Sequence, residues 1–224
     1  MNKVTENPSK NRLGSFSPLT VISSLLVMLY LTANLMAVKV ITVCGLSVFD
    51  AGTITFPFAY MLSDVLAEVW GYKTARKVII TTFFCNVALI IFTSIGIILP
   101  YPEYMESMQR SYTEVFSYVP RITVASLIAF LSGQLVNAKV LVKMKERQKD
   151  GRLLFLRTIF SSICGYVFDT LIFTVIAFYG TVSREDLLSM IVLQYIAKTL
   201  IEALIGTPCA YLIIGYLRRN YGFK

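Results

Sequence analysis

Apolar residues along this chain run in long blocks rather than alternating with polar ones, and the blocks have the length a bilayer demands. A helix needs about 20 predominantly apolar residues to cross a hydrocarbon core of about 30 Å. Six such segments are predicted, at 19–38, 54–70, 78–99, 122–142, 153–179 and 187–216. The second is the shortest and carries Asp64 and Glu68, whereas the last two are long enough to tilt or to run past the hydrocarbon. The fold class expected is an all-α integral membrane protein with six transmembrane helices. A polar tail at 1–17 precedes the helical domain at 18–217, and a basic tail at 218–224 follows it. No small-residue cleavage site follows the first apolar block, so that block is expected to remain a span and not to act as a signal peptide.

Composition strengthens this reading. Hydrophobic residues make up 56% of the 224 and charged residues only 15%, against about a quarter charged in a soluble domain. Mean hydropathy is +0.67. Cys44, Cys85, Cys164 and Cys209 are scattered with no CxxC spacing, and there is no histidine. A zinc or haem site is not expected from this set, no cofactor is predicted, and the cysteines read as small apolar packers.

The net charge of +8 would suit a nucleic-acid partner, but its distribution points to the lipid bilayer instead. Lys3, Lys10 and Arg12 precede the first span; Lys73, Arg76 and Lys77 follow the second. Lys143, Lys145, Arg147, Lys149 and Arg152 lie between the fourth and fifth, and Arg218, Arg219 and Lys224 close the chain. The alternate connections are poor in base: Glu103, Glu106 and Glu114 dominate one, and Glu185 with Asp186 offset Arg184 in another. Basic residues at every second connection predict both termini in the cytoplasm, in the cytoplasmic (inner) membrane. Tyr101, Tyr104, Tyr112 and Tyr118 read as interfacial aromatics of the long outer connection. Lys39 and Lys139, near span ends, are expected to snorkel.

Several polar residues fall inside the spans, where a charge costs about 2.5–3.5 kcal/mol on insertion scales. Asp64 and Glu68 share a helix face at i, i+4. Ser162, Gly165 and Asp169 form one stripe, Gln194, Lys198, Glu202 and Gly206 a second, and Ser126, Phe130, Gly133 and Asn137 a third, with Gln134 beside it. Counted from the outer span ends at 1.5 Å per residue, Asp64, Asp169, Lys198 and Gln134 all lie roughly 15–18 Å deep, near the midplane. Midplane polar pockets are usual in transporters. The bland alternatives are that Lys198 and Glu202 neutralise one another along their helix, and that the small residues serve only close packing. One ion pair does not account for Asp169, Lys198 and Gln134 together. Lys198 needs a counter-charge, with Glu202 the local partner and Asp169 the partner across the interior. Pro208 frees the carbonyl of Leu204 and is expected to kink the last helix.

Four runs, FPFAYMLSDVLAEVWGYKTAR from Phe56, RITVASLIAFLSGQLVNAKV from Arg121, SSICGYVFDTLIFTVIAF from Ser161 and YIAKTLIEALIGTP from Tyr195, carry a resemblance. Together they resemble the YhhQ-type queuosine-precursor transporters, the vitamin uptake transporter family, over essentially the whole chain after the polar tail. The resemblance implies import of a 7-deazaguanine base (the cyano or aminomethyl precursor, or queuine) for salvage into the wobble position of tRNA. It carries over Asn34, Asp64, Arg76, Arg121, Ser126, Gln134, Asp169, Thr170 and Lys198, with Phe56 and Pro57 opening the second helix. Where many members of the family have an acid, this chain has Asn137, which puts any role of that acid in coupling or amine recognition in doubt. The expected substrate-binding set is Asn34, Phe56, Asp64, Arg121, Ser126, Gln134, Asn137, Asp169, Thr170, Lys198 and Glu202.

The residues suit such a ligand chemically. A guanine-like edge offers an N–H and an NH₂ in parallel, and one carboxylate accepts both; Asp169 is the acceptor expected. Gln134 suits the carbonyl and ring nitrogen, Lys198 donates to the carbonyl or balances Asp169, and Phe56, Phe168 or Phe173 stacks on the ring. A rival of another class is an intramembrane aspartyl protease using Asp64 and Asp169, although the glycine-flanked aspartate signature is missing, as are HExxH and GxSxG. A second rival is the substrate-capture subunit of an energy-coupling-factor importer, to which the six-helix plan is related. With no Walker motif the chain does not hydrolyse ATP itself. Ala33 and Ala37 form a small-xxx-small pair able to dock a partner helix, so a homodimer and a separate partner subunit both stay open.

Overall fold

The computed structural model describes residues 17–44, 46–147 and 154–221. Most of the polar tail, the Lys149 to Arg152 segment and the last three residues lie outside them. Seven α-helices dominate: α1 (Pro18–Met36), α2 (Phe56–Trp70), α3 (Tyr72–Ile98), α4 (Glu106–Arg147), α5 (Leu154–Phe178), α6 (Arg184–Ile201) and α7 (Thr207–Tyr221). Among the described residues, five stretches are long and apolar enough to cross a membrane: α1, α3, Glu103–Asn137, Ile159–Phe178 and the α6–α7 run Arg184–Tyr221. This is a multi-pass membrane protein.

The clearest sign of that solvent is α3, which is patterned inside out. Its buried residues are Ala75, Thr82, Asn86 and Thr93. Its exposed ones include Phe84, Ile91, Phe92 and Ile98, the last at 83%. In water this arrangement would leave a large apolar face bare, whereas lipid covers it without cost. Lys39 and Lys139 are exposed near the helix ends.

The segment between α1 and α2 departs from the all-helical reading. Val40–Val43 (β1) and Leu46–Asp50 (β2) pair as an antiparallel hairpin, irregular between Ile41 and Thr42. A buried 3₁₀ turn, Ala51–Ile54, follows. Val40, Ile41 and Thr42 have the β-branched composition of a strand, but an apolar run this short does not distinguish strand from helix. Helix α2 begins only at Phe56 and spans 15 residues, about 22 Å at 1.5 Å per residue, short of a full crossing. The hairpin and turn occupy the remaining depth. Irregular backbone survives there because protein surrounds it: Ala51 N–H donates to the Lys39 carbonyl at 2.8 Å, and a Cβ on Gly52 would clash with the Ala33 oxygen. Ala33 and Ala37 are therefore buried within the chain itself, at 1% and 3% exposure.

Helices α4 and α5 cross at Gly133 and Gly165, where a Cβ on Gly165 would lie 2.9 Å from the Gly133 oxygen. Close backbone approach through small residues is the usual packing device within a bilayer. Helix α4 also starts earlier than hydropathy implies, running through the acidic segment and past Pro120. Between α6 and α7 the helix does not simply kink. Residues Glu202–Gly206 form a π-turn directly before Thr207 and Pro208, the kind of helix insertion that often accompanies function.

Candidate functional site

The polar stripes converge on the interior between α2, α4, α5 and α6, but at two levels rather than one. Hydropathy starts the second span at 54, whereas α2 starts at Phe56. Because the hairpin and turn take up the outer part of that span, Asp64 sits deeper than ten residues would place it.

The upper level is a small cavity lined by Ala33, Asn34, Ala37, Asp50, Gly52, Thr53, Phe56, Ser126, Phe173, Gln194 and Lys198. Its open space is about 10 Å³, room for about one water. The Lys198 Nζ donates to Asp169 Oδ2 at 2.7 Å, with both side chains buried. It lies 4.8 Å from the centre of the Phe56 ring and 5.7 Å from that of Phe173, so the two rings and one carboxylate fix the ammonium. Of the two partners weighed for Lys198, the structure has Asp169. Phe56 and Phe173 are inward, at 7% and 6% exposure, whereas Phe168 is 48% exposed.

Asp50, which sequence analysis passed over, is the carboxylate on the cavity wall. Gln194 Nε2 donates to Asp50 Oδ2 at 2.7 Å and Thr53 Oγ1 donates to the same oxygen at 3.1 Å. Thr174 Oγ1 donates to Gln194 Oε1 at 3.2 Å, which fixes the amide's orientation. The available signal was an aspartate in an otherwise apolar stretch, but the stretch read as a connection. On the opposite wall Asn34 donates to Asn86 Oδ1, and Tyr30 OH donates to the Ser126 carbonyl at 2.9 Å.

An aromatic layer closes the floor of the cavity. Tyr30, Phe56, Tyr60, Phe130 and Tyr166 touch in succession, with centroids 4.6–5.7 Å apart from Tyr30 to Phe130 to Tyr60 and from Phe56 to Tyr60, and 4.7 Å from Tyr60 to Tyr166. Below it lie Asp64, Asn137 and Glu202. Asn137 Nδ2 donates to Asp64 Oδ1 at 3.3 Å, and Tyr166 OH donates to Glu202 Oε2 at 3.2 Å. Gln134 receives only a long contact from Ser63 Oγ, 3.5 Å, and Thr170 is buried with its hydroxyl unpartnered.

Of the expected set, then, Asn34, Phe56, Ser126 and Lys198 line the cavity, and Asp169 stands behind Lys198. Asp64, Asn137 and Glu202 form the lower level. Arg121 is at neither: its Nε and Nη2 donate to the carbonyls of Ile176 and Tyr179 at 2.8 and 2.6 Å, capping the end of α5. Asp64 and Asp169, the two acids of the protease reading, have different partners, Asn137 and Lys198. A larger groove of about 590 Å³ between α1 and α3 is lined by Ser23, Leu31, Thr32, Val78 and similar residues with no charged group, and offers little to orient a polar ligand. Among the described residues no cluster of three or more His, Cys, Asp or Glu forms a metal site, and the four cysteines are unpaired.

Comparison with known proteins agrees with this architecture. Residues 50–213 match the family model described as "Putative vitamin uptake transporter". A Bacillus subtilis protein named "Probable queuosine precursor transporter" is 30% identical over 179 residues, 80% of this chain and 77% of that protein. The Escherichia coli "Queuosine precursor transporter" is 26% identical, covering 77% of this chain and 76% of its own length. A Haemophilus influenzae relative with the same name as the Bacillus protein is 25% identical, covering 75% and 70%. No solved structure matches. The family match spans most of the transmembrane region and begins at Asp50, the residue on the cavity wall: the chain belongs to the vitamin uptake transporter family.

Proposed function

We propose that this protein imports queuosine precursors, 7-deazaguanine bases, across the cytoplasmic membrane, with six crossings and both termini in the cytoplasm. The names of its relatives supply the substrate class, and α2 together with the hairpin counts as the sixth crossing. The observation that carries the reading is the cavity wall itself. Two inward aromatic rings flank a lysine, and a carboxylate–amide pair, Asp50 with Gln194, faces the same space.

A flat bicyclic base fits that chemistry. Phe56 and Phe173 contact its faces, and Lys198 donates to its carbonyl. Asp50 accepts the parallel N–H and NH₂ of the guanine-like edge once Gln194 turns its amide to the ring. Asp169 holds Lys198 in place, and meets the base only if Lys198 lets go. Because the space is about 10 Å³, far below a ligand-sized pocket, binding requires the hairpin and α6 to part. Energy-coupling-factor partnership is not needed for this reading. Uptake of a labelled 7-deazaguanine precursor by cells unable to make queuosine, read as queuosine in tRNA, tests it. Queuosine is expected to appear only when this chain is expressed, and its absence would end the proposal.

A further inference from the structure

Beneath the aromatic layer lie two carboxylates, the buried Glu202 and the half-buried Asp64, that pair with no cation among the described residues. Asp64 and Glu202 come from α2 and the π-turn, two elements that pack against one another. Each has one oxygen satisfied, Asp64 Oδ1 by Asn137 and Glu202 Oε2 by Tyr166. The second oxygens, Asp64 Oδ2 and Glu202 Oε1, are buried without a partner. So are Asn137 Oδ1 and the Thr207 hydroxyl, on residues only 2% and 0% exposed. Four oxygen atoms able to accept, on four elements, are thus left open at these two acids.

Among the described residues, the charged and titratable groups around the pair do not balance it. From α2 come Tyr60 and Glu68, from α5 Tyr166 and Asp169, from α6 Lys198 and from α7 Arg218. Lys198 is held by Asp169 at 2.7 Å across the aromatic layer. Arg218 is held by Glu68 at 2.8 Å, with side chains 42% and 28% exposed at the rim. Two carboxylates in a water-poor interior do not both remain ionised without a counter-charge.

We propose that the Asp64–Glu202 pair is the transporter's coupling site and binds one monovalent cation, a proton or a sodium ion. The bound cation supplies the missing charge, with Asn137, Tyr166 and Thr207 orienting the carboxylate oxygens. The π-turn gives the site its means of linkage to the cavity. It lies one turn below Lys198 on the same helix run, and its backbone wraps the carboxylate so closely that a Cβ on Gly206 would meet Glu202 Oε2 at 2.7 Å. Loading or releasing the cation then repacks the turn that continues α6, the helix on which Lys198 and Gln194 are mounted.

The coupling role rests on the proposed import, whereas the cation site does not, so two measurements separate them. In the first, the purified chain is melted in detergent without substrate, across pH at constant ionic strength and in sodium against choline chloride. A cation bound only by the folded pair stabilises it by mass action, so the melting temperature is expected to rise with proton or with sodium concentration. In Glu202→Gln and Asp64→Asn that response is expected to vanish. A response to sodium identifies sodium, a response to protons alone identifies the proton, and a wild-type response to neither, or one unchanged in both variants, overturns the site. In the second, liposomes holding the chain take up labelled 7-cyano-7-deazaguanine under an imposed proton or sodium gradient. The matching gradient is expected to raise accumulation at least tenfold, and any uptake left in Glu202→Gln is expected to ignore it. Gradient-independent accumulation by the wild type, despite an intact melting response, would remove the coupling role and leave a structural cation. No uptake at all would instead remove the import reading.

Discussion

In the cavity each charge has a partner within hydrogen-bond reach: Lys198 lies on Asp169 at 2.7 Å, and Asp50 accepts from Gln194 at 2.7 Å and from Thr53 at 3.1 Å. One helical turn below, Asp64 and Glu202 have only neutral donors, Asn137 and Tyr166, and each keeps an oxygen with no partner. Asp50, Asp169, Lys198 and Glu202 are buried and Asp64 is half-buried, so the contrast lies chiefly in the partners. It teaches that the upper level is held together by internal bonds that a ligand of like chemistry can replace, and the lower level is short of positive charge.

The contrast breaks most severely at Lys198. Lys198→Met leaves Asp169 without its cation and is expected to cost about 3–5 kcal/mol, read as a lower melting temperature together with loss of uptake. Lys198→Met combined with Asp169→Asn is expected to recover folding but not uptake. A double-mutant cycle should give a coupling well above about 0.5 kcal/mol, and additivity within that limit would show the pair to be independent.

The barrier between the levels depends on the α4–α5 crossing. A Cβ at Gly133 would meet the Tyr60 hydroxyl at 2.5 Å, Asp169 Cβ at 2.9 Å and the Gly165 oxygen at 3.0 Å. Gly133→Ala is therefore expected to cost about 1–3 kcal/mol through overpacking in a thermal melt, and to displace the aromatic layer. Ser132→Ala, on the exposed side of the same turn, is expected to stay within about 0.5 kcal/mol of wild type.

The smallest effect separates the aromatic candidates. Phe168→Ala, on the outward face, should leave precursor affinity unchanged, whereas Phe173→Ala should weaken it severalfold. Equal effects in a binding titration would mean that neither ring contacts the base.

Much of the helical plan was legible because a bilayer writes it in long apolar blocks: the boundaries of α1, α3 and α5 lie within a few residues of hydropathy for α1 and α5, and α3 begins six residues early. The stripes on α4, α5 and α6 were legible for the related reason that a polar residue in lipid must face inward, as Ser126, Asn137, Asp169, Gln194 and Lys198 do. The hairpin was not, since Val40 to Asp50 is too short and too apolar to declare its period. With it went Asp50, whose significance depends on tertiary contacts to Gln194. The outward turn of Phe168 was decided by the azimuth of α5, and the capping role of Arg121 by the place where α5 ends. Neither is fixed by spacing alone.

Import through the Asp50–Lys198 cavity is tested most directly by equilibrium binding of 7-cyano-7-deazaguanine to the purified chain, wild type beside Asp50→Asn. An amide has one accepting and one donating group, so it does not accept two parallel N–H donors. Hydrogen bonds to a charged group contribute about 1.5–3 kcal/mol, and each 1.4 kcal/mol is about tenfold in affinity. The wild type is expected to bind the base without competition from adenine, which lacks that edge, and Asp50→Asn is expected to bind at least tenfold more weakly. Wild-type affinity in Asp50→Asn, or displacement of the base by adenine, would contradict the account.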